Sequence, residues 1–160
     1  MKYALNPSPQ NPSPQNPSPH GSHMKIISLV GENKKVLDVG CASGYIGEHL
    51  KKKGCSLVGI EIDKECAEIA KRAYEDVIIA DVEKLEAISY PEHFFDVIIF
   101  ADILEHLKNP SETLIKFKKY LKKDGAVIVS LPNIDRSRFA SDSFSASLTM
   151  KRSVYLIEHT

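Results

Sequence analysis

From residue 35 onward, apolar and polar positions follow two alternating rhythms. Lys35–Val39 (KVLDV), Ser56–Ile60 (SLVGI), Asp76–Ala80 (DVIIA), Phe95–Phe100 (FDVIIF) and Ala126–Leu131 (AVIVSL) are short, nearly continuous apolar runs. Runs of that length between turn signals predict strands buried on both faces. Between them the spacing becomes helical. Tyr45–Lys53 carries Ile46 and Leu50 four apart and stops at Gly54. Lys64–Ala73 carries a stripe of Cys66, Ile69, Ala70 and Ala73. Asn109-Pro110 predicts a helix start, with the asparagine side chain as cap and proline in the first turn. Leu114, Phe117 and Leu121 keep the helical spacing to about residue 122, and Asp124-Gly125 predicts a turn before the last strand. Strand and helix in alternation predict an α/β domain with a parallel sheet and helices on both faces.

Two segments stand outside these rhythms. Residues 1–20 repeat the unit QNPSP, and proline at that density excludes helix interiors and central strands. Gly21-Ser22-His23-Met24 reads like the scar of an expression vector. Residues 1–23 are therefore expected to be a disordered tag and linker, and residues 24–160 the domain. From Pro132 the run SRFASDSFSAS is serine-rich and aperiodic, an uncertain tail over 132–160 in which Ser153–Glu158 (SVYLIE) is a candidate for one more strand.

Charge removes some function classes. Lys and Arg number 21, Asp and Glu 21, and the formal net charge is zero. No global field draws the chain to nucleic acid or to an anionic membrane, and no apolar run approaches the roughly 20 residues of a bilayer span. Cys41, Cys55 and Cys66 form no CxxC pair and read as reduced thiols of a cytoplasmic protein, neither a disulfide frame nor a metal site. The lysines at 51–53 and 118–123 read as solvated faces near helix C-termini.

In open α/β sheets, ligands sit beyond the carboxyl ends of the strands. The first strand ends in Asp38-Val39-Gly40-Cys41-Ala42-Ser43-Gly44, where glycines permit a sharp turn and the following helix presents its amide groups. The second ends at Glu61, whose two oxygens can accept from a pair of ribose hydroxyls, followed by Ile62 and by Asp63 as the cap of the next helix. The third ends at Asp81-Val82. Asp81 is a candidate cap for Glu83–Ile88. The fourth ends at Ala101-Asp102 and runs into Ile103-Leu104-Glu105-His106.

Taken in order, these runs resemble the class I S-adenosylmethionine-dependent methyltransferases. VLDVGCASGYIGEHL is similar to their first motif, LVGIEID to the second, IIADVEKL to the third, FDVIIFADILEHLKNP to the fourth, and GAVIVSLPN to the fifth strand and its exit. Within the class the likeness is to small-molecule enzymes of the ubiquinone- and lipopolysaccharide-biosynthesis type. The resemblance implies a Rossmann-like, doubly wound, mostly parallel sheet of order 3-2-1-4-5, with later strands reduced or missing. It implies S-adenosylmethionine or S-adenosylhomocysteine as cofactor, held by Asp38, Gly40, Cys41, Ala42, Gly44, Glu61, Ile62, Asp81, Val82, Ala101 and Asp102. Asp38 is expected to reach the glycine-loop backbone or the methionine amino group, directly or through water; beside its capping role Asp81 is a candidate for the adenine amino group, and the Val82 N–H for adenine N1. The implied reaction is SN2 methyl transfer to a small molecule, with His106 as candidate catalytic base. A structural role for His106 stands beside that one, and no second histidine supports metal binding with Glu105 or Asp102.

The sequence departs from the family pattern in two places. Ala42 replaces the usual central glycine, which the loop tolerates if φ there is negative. The chain also ends too soon for the usual later strands and substrate-covering region. The alternatives are a cofactor-binding fragment without activity, or a nicotinamide-dependent oxidoreductase, which the spacing of Gly40 and Gly44 fits poorly. A sheet that stopped at its fifth strand would expose an apolar edge. Either Val154–Ile157 pairs beside Val127–Leu131, or self-association covers that edge.

Overall fold

The computed structural model describes residues 21–131, together with the backbone of 149–151 and 154–158. The proline-rich repeat and the serine-rich run after Pro132 lie outside the described residues. In chain order the elements are α1 (Ser22–Val30), β1 (Lys35–Val39), α2 (Tyr45–Lys52), β2 (Ser56–Glu61), α3 (Lys64–Ala70), β3 (Asp76–Ile79) and β4 (Phe95–Ala101). A 3₁₀ turn (Leu104–His106), α4 (Pro110–Lys118), β5 (Leu121–Ser130), β6 (Thr149–Lys151) and β7 (Val154–Glu158) follow. The sheet order among the described residues is β3-β2-β1-β4-β5-β7-β6. The first five strands are parallel in the order 3-2-1-4-5, the topology of a Rossmann-like fold.

Alternation along the strands divides the core into two layers, because successive side chains point to opposite faces. Val36, Leu57, Val77 and Val97 pack with Ile26, Ile27 and Val30 of α1, Ile46 and Leu50 of α2, and Ala67 and Ala70 of α3. Leu37, Val58, Ile60, Ile98 and Phe100 pack on the other side with Leu114 and Phe117 of α4 and with Tyr120. Asp38 falls between Leu37 and Val39 and so shares the face that carries Val36 and α1–α3.

Several element boundaries differ from the sequence expectation. α1 was not predicted, and it begins at Ser22, inside the stretch set aside as tag; Ile26, Ile27 and Val30 draw it onto the sheet. The buried face of α3 is Ala67 and Ala70, whereas Ile69 is 45% exposed and Cys66 partly so. Small residues let α3 lie close to β2, which a stripe of larger side chains would not. α4 ends at Lys118 instead of near residue 122: Phe94 and Phe95 donate their amides to the Tyr120 carbonyl, drawing Leu121 into the sheet. The register then jumps from Phe95↔Leu121 to Val97↔Ala126, so the expected turn at Asp124-Gly125 is a bulge within β5. The Asn109 side chain makes no cap. Instead the Lys108 and Asn109 amides donate to Glu83 Oε1 at 2.8 and 2.9 Å.

The β5 edge is covered within the chain. β7 pairs antiparallel with β5, Val154 opposite Ser130 and Ile157 opposite Val127, and β6 pairs with β7. Two later strands are thus present in reduced form. A chain ending at residue 147 loses this cover, and its apolar β5 edge should pair with a second copy. Sedimentation velocity should show concentration-dependent association of the shortened chain and none for the parent; a shortened chain that stays monomeric contradicts the assignment.

Candidate cofactor site

The loop after β1 turns through three residues with positive φ: Gly40 (80°), Ala42 (48°) and Gly44 (91°). The negative φ on which the sequence made tolerance of Ala42 depend is absent, and the loop forms all the same. An alanine in that region carries a strain of about 1 kcal/mol, and neighbouring hydrogen bonds hold it there. The Gly40 and Cys41 amides donate to the Ile60 carbonyl at 2.8 and 3.0 Å. The Ala42 amide donates to Glu61 Oε2 at 2.8 Å, and the Asp63 amide to Glu61 Oε1 at 2.9 Å. Glu61 thus ties the end of β2 to the loop, and each of its oxygens retains a further lone pair for a ligand. The Asp63 carboxylate accepts from the Cys66 amide at 2.8 Å and caps α3.

Asp38 is 1% exposed. It does not reach the glycine-loop backbone. Its Oδ2 accepts from the Tyr74 hydroxyl at 2.5 Å, while Oδ1 has no partner among the described residues. Burial pushes its carboxyl up to about 6, against the pull of the Tyr74 hydroxyl and the more distant His23. Burial likewise pushes the Cys41 thiol well up, so it is no nucleophile at neutral pH.

The remaining strand ends form two further groups. The Ala80 amide donates to the Glu61 carbonyl at 3.0 Å, which sets Asp81 beside the end of β2. Asp81 Oδ1 accepts from the Glu83 amide at 3.0 Å, capping a single turn at 82–84 and no helix over Glu83–Ile88. Val82 is buried, and its carbonyl accepts from Lys116 Nζ at 2.6 Å. Beyond β4, Asp102 also has positive φ (51°). Its amide donates to Ser130 Oγ at 3.0 Å, and that hydroxyl donates to Asp102 Oδ1 at 2.8 Å. His23 Nε2 lies 3.6 Å from Asp102 Oδ2. The His23 imidazole and the Ser130 hydroxyl hold the Asp102 carboxyl below the usual range, against burial.

Ile62 is 64% exposed, an apolar surface directly beyond Glu61. Ala101 packs partly against the α1–α3 layer. His106 is exposed on the 3₁₀ turn, with Nε2 3.8 Å from Glu105 Oε1. The structure therefore gathers Gly40, Cys41, Ala42, Gly44 and Glu61 into one hydrogen-bonded unit, with the Asp38 side chain beneath it bonded, among the described residues, to Tyr74 alone. Sequence reasoning missed Ile103, which closes over the loop: a Cβ on Gly40 would lie 2.5 Å from its Cδ1. It also missed Tyr74, which lies in no motif, and Ser130, which stands in the fifth-strand run without a role assigned to it.

Residues 20–154 match the methyltransferase-domain family, and the chain belongs to that family. A ubiquinone biosynthesis O-methyltransferase of Glaesserella parasuis is 30% identical over 109 residues, covering 62% of this chain and 46% of the relative. One from Proteus mirabilis is 34% identical over 105 residues, covering 62% and 42%. The chain thus spans less than half the length of these curated relatives. A TehB-like SAM-dependent methyltransferase of Corynebacterium glutamicum superposes with a TM-score of 0.69 at 20% identity, covering 86% of both chains, and shares the fold. A SAM-dependent methyltransferase of Aquifex aeolicus superposes at 0.60 with 17% identity, covering 85% of this chain and 89% of its own.

The buried Asp38 makes a testable demand on stability. An unperturbed aspartate titrates at 3.8. The folded value lies above that, so stability falls as pH rises from about 4 to about 6. The loss, about 3 kcal/mol, persists above that range. Asp38→Asn carries no such cost. Thermal denaturation should place the variant above wild type at pH 8 and bring the two together at pH 4; an equal difference at both values contradicts the burial argument.

Proposed function

We propose that the chain is the cofactor-binding core of an S-adenosylmethionine-dependent methyltransferase that acts on a small molecule. The observation that carries this reading is the Glu61 carboxylate, held by two backbone amides at the mouth of a loop with three left-handed residues. That arrangement presents remaining lone pairs to a diol, as the ribose of a nucleoside requires. Asp38 Oδ1, buried and without a partner among the described residues, suits a cation such as an amino acid's ammonium, met directly or through water. The donor set therefore fits the cofactor, with Ile62 offering apolar contact to a base, the Val82 N–H a donor to it and Asp81 an acceptor for its amino group. Gly40, Cys41, Ala42 and Gly44 supply the backbone against which it would rest, and Ala101 and Asp102 the strand end facing its reactive portion.

When bound, S-adenosylmethionine supplies a methyl group on a sulfonium, ready for SN2 displacement. The chain's own residues orient it: Glu61 and Asp38 fix two separate points of the ligand, which restricts its approach to the acceptor. His106, exposed beyond β4, is the candidate to accept a proton from an acceptor hydroxyl. A hydroxyl is the proposed acceptor group because the relatives are named O-methyltransferases. No described helix is long and apolar enough to cross a membrane. We place the domain in the cytoplasm, with a small-molecule acceptor and no nucleic-acid partner; Ser22 and His23 belong to the first turn of α1.

Calorimetric titration tests the reading. S-adenosylhomocysteine should bind with micromolar affinity, about 8 kcal/mol, and NADH should give no heat. Glu61→Ala should weaken S-adenosylhomocysteine at least about tenfold, since it removes charge-assisted bonds of roughly 1.5–3 kcal/mol each. It should also lower the melting temperature, because the Ala42 and Asp63 amides lose their acceptor. Undiminished affinity in Glu61→Ala, or NADH binding in place of S-adenosylhomocysteine, contradicts the proposal.

A further inference from the structure

Tyr74 lies just beyond α3, in no motif, yet glycines of two separate segments, α2 with its N-cap and β2, border its ring. A Cβ on Gly47 would lie 2.2 Å from Tyr74 Cε2, one on Gly59 3.1 Å from Cδ1, and one on Gly44 3.2 Å from Cε2. Gly47 stands inside α2, where glycine costs about 1 kcal/mol relative to alanine. The slot is thus maintained against helix propensity. Its ring, 5% exposed, fills the slot, and its hydroxyl meets Asp38 Oδ2. Packing alone would be served by phenylalanine. The hydroxyl adds one thing, a donor fixed on one oxygen of a carboxylate whose other oxygen has no partner among the described residues.

We propose that Tyr74 is a positioning residue for the cofactor's ammonium group: wedged among Gly44, Gly47 and Gly59, it holds Asp38 by Oδ2 and keeps Oδ1 as the ammonium's acceptor. The inference rests on the reading of the site as one for S-adenosylmethionine. The charge around Asp38 makes the hydroxyl matter. His23 of α1 favours the ionised carboxyl, Glu61 of β2 opposes it, and burial opposes it most; the Tyr74 bond is the largest influence in favour. The neighbouring Cys41 thiol stays protonated and contributes no charge at neutral pH. Without the Tyr74 hydroxyl, Asp38 takes up a proton near neutral pH and loses its attraction for a cation.

Two measurements on the full chain test this. Carbon-13 NMR of carboxyl-labelled aspartate, without ligand, should place the Asp38 midpoint near 6 in wild type and about one to two pH units higher in Tyr74→Phe. Calorimetry with S-adenosylhomocysteine should show Tyr74→Phe binding about tenfold more weakly than wild type at pH 6.5 and recovering at pH 8.5. A purely structural role would lower the melting temperature and leave both profiles in place. Wild-type binding with an unmoved Tyr74→Phe midpoint overturns the role of Tyr74 alone. Wild type that fails to bind S-adenosylhomocysteine overturns the cofactor reading, and this inference with it, whatever the NMR titration shows.

Discussion

A carboxylate buried near the end of a central strand is costly unless something compensates it. Asp38 occupies that position in β1, and much of the site is arranged around it. Tyr74 reaches it from beyond α3, across a slot that Gly44, Gly47 and Gly59 leave open. Glu61, on the adjacent strand, ties down the loop that follows Asp38. One Asp38 oxygen is left unpaired among the described residues, a cost to the free protein that a cationic ligand would relieve. Such stored cost is common where a protein holds a group ready for a ligand.

The loop shows a second compensation. Ala42 adopts a conformation that glycine would adopt more easily, and Glu61 holds its amide there. The same carboxylate is the proposed ribose ligand, so loop geometry and ligand recognition share one side chain. Beyond the site, β7 closes the β5 edge antiparallel, so the sheet continues past its parallel part without another helical crossover among the described residues.

The five parallel strands were legible because β-strands buried on both faces leave short apolar runs that little else imitates. Helix ends were less legible. Leu121 keeps helical spacing from Leu114 and Phe117, yet it belongs to β5, because backbone bonds from Phe94 and Phe95 outweigh periodicity. α1 was missed because its first residues resemble a vector scar; only Ile26, Ile27 and Val30 hint at a packed face. The acidic strand ends and the glycine loop were visible as motifs. The φ of Ala42 was not, since it depends on a bond from residue 42 to residue 61. Tyr74 was invisible for the same reason: its meaning lies in Asp38, 36 residues away.

In this reading Asp38 is the counter-charge for the ligand's ammonium. Near pH 6 the free protein holds Asp38 about half protonated. A cation bound at Oδ1 must expel that proton. Calorimetric titration of S-adenosylhomocysteine in buffers of differing ionisation enthalpy measures the protons released. About half a proton per site should be released at pH 6 and nearly none at pH 8, with the release at pH 6 abolished in Asp38→Asn. Binding at pH 6 with no proton release, or with the same release in Asp38→Asn, would contradict this reading.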